Sequence, residues 1–71
     1  MPGEDKVLDR ERMAKVLLAL RGNLSREEVA EAVGISVMAL KMYESGQRVP
    51  RDEVQRTMAQ YYDTGKTYIF S

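Results

Sequence analysis

Residues 24–44, LSREEVAEAVGISVMALKMYE, decide how this chain folds. Ser25 followed three positions later by Glu28 is a capping box, so a helix should begin at Ser25. Val29, Ala30 and Val33 fall at helical spacing along one face of it. Gly34 stops the helix, because glycine accepts the left-handed backbone that a helix end often needs. Ile35 follows the stop and is expected in the core. Ser36 then caps a second helix over residues 37–44.

A helix, a three-residue turn containing glycine and a second helix make the helix-turn-helix signature. The run LSREEVAEAVGIS, continued by MALKMYESGQRVPRDEV, resembles the lambda-repressor/Cro-type (XRE) helix-turn-helix family. The likeness extends from about Arg12 to Phe70. It implies an all-α, lambda-repressor-like bundle of four to five short helices. It also implies a repressor-like regulator that binds duplex DNA in a sequence-specific way, with the helix at 37–44 in the major groove.

The totals leave room for little else. Seventy-one residues make one domain at most, and an apolar content of 44% is ordinary for a globular chain. There is no cysteine and no histidine, which excludes disulfides, thiolate zinc sites and histidine bases. No metal, cofactor or small-molecule ligand is expected. No apolar run approaches the roughly 20 residues of a membrane span. The N-terminus lacks a hydrophobic signal core, so a cytoplasmic location and no membrane contact are expected. Net charge is zero, from 11 basic and 11 acidic residues, whereas nucleic-acid binders are usually basic. The distribution softens that objection. Between Ser36 and Arg51 the chain carries Lys41, Arg48 and Arg51 against Glu44 alone. The acids gather elsewhere, at Glu4, Asp5, Glu27, Glu28 and Glu31.

Working outward, residues 1–8 read as a loose N-terminus or a helix extension, with the helix-turn-helix domain over 9–66. A first helix should run from about Asp9, or from Glu4, to Leu20. Met13, Val16, Leu17 and Leu20 form its core-facing stripe, and Leu8 could extend it by one turn. Gly22 and Asn23 end it. Arg26, Glu27 and Glu31 are expected on the outer side of the second helix. Leu40 and Tyr43 should face the core from the third, leaving Val37, Met38, Lys41 and Met42 outward or on the flank. Gly46 supplies the turn after it. Pro50 is expected to start a fourth helix, with Val54, Met58 and Tyr61 packed inward and Tyr62 widening that face. Residues 63–65 break it. The tail at 67–71 reads as either one extended strand or one helical turn. Its Ile69 and Phe70 would either cover the core or pair with a second copy.

The resemblance also supplies site residues. Val37, Met38 and Met42 match positions whose side chains enter the major groove, with Arg26 and Lys41 as further candidates for base contact. In the family the start of the second helix, here Ser25, holds a phosphate with the side chain at the position of Arg26 helping, and Gln47 and Arg48 follow on the DNA side as further phosphate candidates. In the family an arginine ending the first helix often pairs with the glutamate of the Tyr-Glu dipeptide, which implies an ion pair between Arg21 and Glu44. Family members often carry polar residues at the first two reader positions, where this chain has Val37 and Met38. An alkyl group can contact only the thymine methyl among the distinctive base-pair edges. Specificity would then rest on such contacts, on Lys41 and on DNA shape. Two function classes follow. One is a DNA-binding regulator acting as a homodimer. The other is a protein-interaction co-regulator that uses the same fold and its apolar third-helix face, since Met suits adaptable surfaces. An enzyme is not expected: the carboxylates are scattered, and no glycine-rich phosphate loop is present.

Overall fold

The computed structural model of the protein describes residues 8–71. The expected looseness of residues 1–5, and a helix start at Glu4, lie outside the described residues. Five helices follow in order: α1 (Arg10–Arg21), α2 (Arg26–Val33), α3 (Val37–Glu44), α4 (Asp52–Tyr61) and α5 (Lys66–Ile69). Among the described residues there is no strand.

Each early boundary has a local cause. Asp9 caps α1 by accepting the Arg12 N–H at 3.1 Å. Ser25 accepts the Glu28 N–H at 3.1 Å, and Ser36 accepts the Ala39 N–H at 3.0 Å. These caps satisfy amides that a helix start leaves without partners. Gly34 ends α2 in the left-handed region, at φ 87°. Its N–H and that of Ile35 both return to the Ala30 carbonyl, at 2.8 and 3.0 Å. That closes the turn tightly just before α3 begins. Gly46 has φ 78°, and a Cβ built there would lie 3.3 Å from the Arg10 carbonyl oxygen. The turn after α3 therefore passes against the start of α1, where only glycine fits without displacement.

Met13 and Leu17 of α1, Val29 of α2, Leu40 of α3, Met58 of α4 and Ile69 of α5 are fully buried in one core. Burying a side chain of this size stabilises by about 1.5–3 kcal/mol. Val16, Leu20, Leu8 and Ile35 pack against this core while keeping some exposure. Helix α1 lies on α3 and α5, α2 on α3 and α4, and α4 on α5.

The fourth helix departs from its expected form. It starts at Asp52, with Arg51 as N-cap, not at Pro50. Pro50 is buried in the extended link, and its carbonyl accepts Gln55 Nε2 at 2.8 Å. Tyr61 is 37% exposed instead of packed inward. The buried stripe runs through Met58 and Ala59 to the partly buried Tyr62, which places Tyr61 at its edge, ring edge to face with Tyr62.

At the end of the chain the helical turn forms and the strand does not. Ile69 is fully buried and Phe70 is 8% exposed, so both cover the core of their own chain. Arg12 fixes this closure by donating to the carbonyls of Tyr68 (2.6 Å) and Ile69 (3.4 Å). A cation on the last carbonyls of a helix is favourable both as hydrogen-bond donor and against the helix dipole. On the other side Lys66 of α5 pairs with Asp52 of α4, which also holds Arg56. The hydrogen bond from Lys66 is the main reason that the Asp52 carboxyl titrates below its ordinary range.

Candidate nucleic-acid interface

Helix α3 presents a ladder of side chains at helical spacing. Met38 is 62% exposed, Lys41 is exposed one turn on, and Met42 beside it is half-buried. Val37 does not stand out with them. It is half-buried and packs against the core. The reason is register: Val37, Leu40 and Glu44 lie at i, i+3 and i+7, and the latter two are buried. Of the two positions expected for it, Val37 therefore takes the flank and shows only part of its side chain.

The exit turn continues the same surface. Ser45 N–H returns to Lys41 O at 3.0 Å, and the N–H groups of Gln47 and Arg48 both reach Met42 O, at 2.9 and 3.3 Å. This leaves the side chains of Gln47 and Arg48 exposed. Arg10, exposed on α1, reaches the Gln47 carbonyl at 3.5 Å and adds a cation to the rim. Ser25 is exposed, with its hydroxyl already accepting the Glu28 amide.

The electrostatics turn on Glu44. Its side chain is only 1% exposed. Arg21 Nε donates to Oε2 at 2.7 Å, and Arg26 Nε donates to Oε1 at 3.0 Å. Arg21 also donates through Nη1 to the Leu24 carbonyl at 2.8 Å, so it ties α3 to the α1–α2 turn. Arg26 keeps the outer side of α2 expected for it, with 37% of its side chain exposed. Its Nε edge also leans onto the carboxylate, because each oxygen of a buried carboxylate requires a donor and Arg21 occupies one alone. With Glu44 withdrawn, the exposed charges between Ser36 and Arg51 are three cations, Lys41, Arg48 and Arg51, and no acid. Glu27, Glu28 and Glu31 are exposed on α2. Tyr62 completes the buried cluster. Its hydroxyl is enclosed with no hydrogen-bond partner among the described residues. Burial first, and the nearby Glu44 charge second, push its pKa up to about 12.

Two of these features are absent from the sequence reading. The Arg12 clamp joins residues 56 positions apart, and nothing in local spacing signals it. The second guanidinium on Glu44 could have been sought, since a buried carboxylate with one assigned partner has an oxygen left over.

Among the described residues, no group of acidic side chains is arranged to hold a metal ion, and no helix is long and apolar enough to cross a membrane. What remains is a surface made of a capped helix, its exit turn and a set of cations, as in a helix-turn-helix protein. A family profile described as Helix-turn-helix matches residues 13–69. The chain belongs to that family, of the XRE or lambda-repressor type. Searches of curated proteins and of solved structures returned no match.

Proposed function

We propose that the protein is a sequence-specific, double-stranded DNA-binding transcriptional regulator of repressor type. It acts in the cytoplasm as a homodimer. Two copies of α3 enter successive major grooves about 34 Å apart, so the operator is a near-palindrome. Met38, Lys41 and Met42 meet base edges, with Val37 at the flank and Arg26 between these bases and the DNA backbone. Ser25, Gln47 and Arg48 hold the phosphates that set register. The observation that carries this reading is the charge pattern along α3 and its exit. Three exposed cations have no exposed acid among them, although the whole chain is neutral.

The test is selection of bound duplexes from a random pool at low salt. Enrichment of a thymine-containing near-palindrome is the expected result. Failure to enrich any site would favour the second reading, a co-regulator that binds another protein through α3. That reading has one specific support, the 62% exposure of Met38 at the centre of the same face.

A further inference from the structure

We infer that Glu44 is a positioning residue for DNA binding: it holds Arg26 so that the outer edge of that guanidinium meets a phosphate. The inference rests on the regulator reading above and adds to it the residue that acts from inside the protein. One carboxylate carries two guanidinium groups, so the cluster of Glu44, Arg21 and Arg26 has one positive charge in excess. Its members differ in access to solvent. The Glu44 side chain is 1% exposed and that of Arg21 16%, while that of Arg26 is 37% exposed. The surplus charge therefore reaches the surface through Arg26. The hydrogen bond also selects which edge is shown. Arg26 spends Nε on Glu44 at 3.0 Å, and its two Nη groups have no acceptor among the described residues. A guanidinium fixed at one edge presents the other in a set direction, ready for the oxygens of a phosphodiester. Arg21, engaged by both Glu44 and the Leu24 carbonyl, keeps the carboxylate in place while Arg26 is in use.

Electrostatics alone would give the opposite sign, and this makes the inference testable. Glu44→Gln raises the net charge of the chain by one. A purely Coulombic account then expects tighter DNA binding with a steeper salt dependence. Positioning by Glu44 predicts weaker binding, by about threefold to tenfold, since Arg26 loses its fixed direction. The experiment measures affinity for a mixed-sequence duplex at two salt concentrations for the natural chain, Glu44→Gln, Arg26→Ala and the double variant. Circular dichroism is used to retain only folded proteins. The NMR signal of Arg26 Nε–H reports the contact without DNA and should lose its protection from solvent exchange in Glu44→Gln. The expected pattern is that Glu44→Gln weakens binding in the natural background and has no weakening effect once Arg26 is alanine. Tighter binding of Glu44→Gln in both backgrounds would overturn the inference, as would an unchanged Arg26 Nε–H signal. If Glu44→Gln does not fold, Glu44→Asp replaces it: the shorter side chain keeps the charge but withdraws the acceptor, and the same loss is expected. A natural chain that binds no DNA at either salt would instead defeat the regulator reading itself.

Discussion

Replacing Met38 with alanine separates the role of α3 in binding from its role in folding. The side chain is 62% exposed and is not part of the buried core. Its removal should therefore leave stability within about 0.5 kcal/mol of the natural chain. Its effect on binding follows from area. If docking on a thymine methyl removes about 40 Å² of this side chain from water, the gain is about 1 kcal/mol at about 25 cal/mol per Å². That corresponds to about a fivefold change in affinity. The assay is competition fluorescence anisotropy on a selected duplex and on the same duplex with uracil in place of individual thymines. Uracil lacks only the methyl group. The natural protein should lose about fivefold at one thymine in each half-site, and Met38→Ala should be indifferent to that exchange. Equal responses of both proteins to uracil at every position would refute the reasoning. Val37→Ala is a poorer probe, because Val37 packs on the core and its truncation disturbs folding as well.

Three further predictions concern the bundle and its rim. Ile69→Ala should destabilise by about 2–5 kcal/mol, read as a lower urea midpoint, because a fully buried side chain at the end of the chain closes the core. A loss below 0.5 kcal/mol would mean that α5 does not seal the bundle. Tyr62 has a pKa raised from 10.0 to about 12 in the folded protein, so its stabilising effect is complete below pH 10 and disappears as pH rises toward 12. Tyr62→Phe should flatten this alkaline loss and cost nothing at pH 7, since the hydroxyl has no partner to lose; an unchanged alkaline profile would contradict this. Arg48→Ala should weaken binding about equally on all sequences and reduce the salt slope by about 0.9, the share of one phosphate. A change in preference among sites would instead make Arg48 a base reader.

Which parts of the protein could be read from residues alone has a physical explanation. The capping serines and Gly34 act within four residues of themselves, so the boundaries of α2 and α3 are legible from short patterns. Apolar spacing likewise identifies Met13, Leu17, Leu40 and Met58. Pattern fails where a choice depends on which neighbour arrives. Tyr61 and Tyr62 are adjacent and chemically alike, and only the packing of α4 on α2 and α5 decides that Tyr62 turns inward. Residues 67–70 suit either a strand or a helical turn, and the turn that forms is held by Arg12, over fifty residues away, and by burial of Ile69 and Phe70. At the candidate interface, Met38 and Lys41 follow from register, but the inward lean of Arg26 depends on the free oxygen of a buried carboxylate. Long-range polar contacts of this kind leave little trace in local sequence.

Docking of the cationic surface around α3 on the phosphates of duplex DNA is tested most directly by its salt dependence. Two charged phosphate contacts, one each for Arg26 and Arg48, predict a log–log slope of about −1.8 and an affinity about 12-fold weaker at 200 mM than at 50 mM salt. Affinity that stays constant over that range, or no binding at 50 mM, would contradict the account.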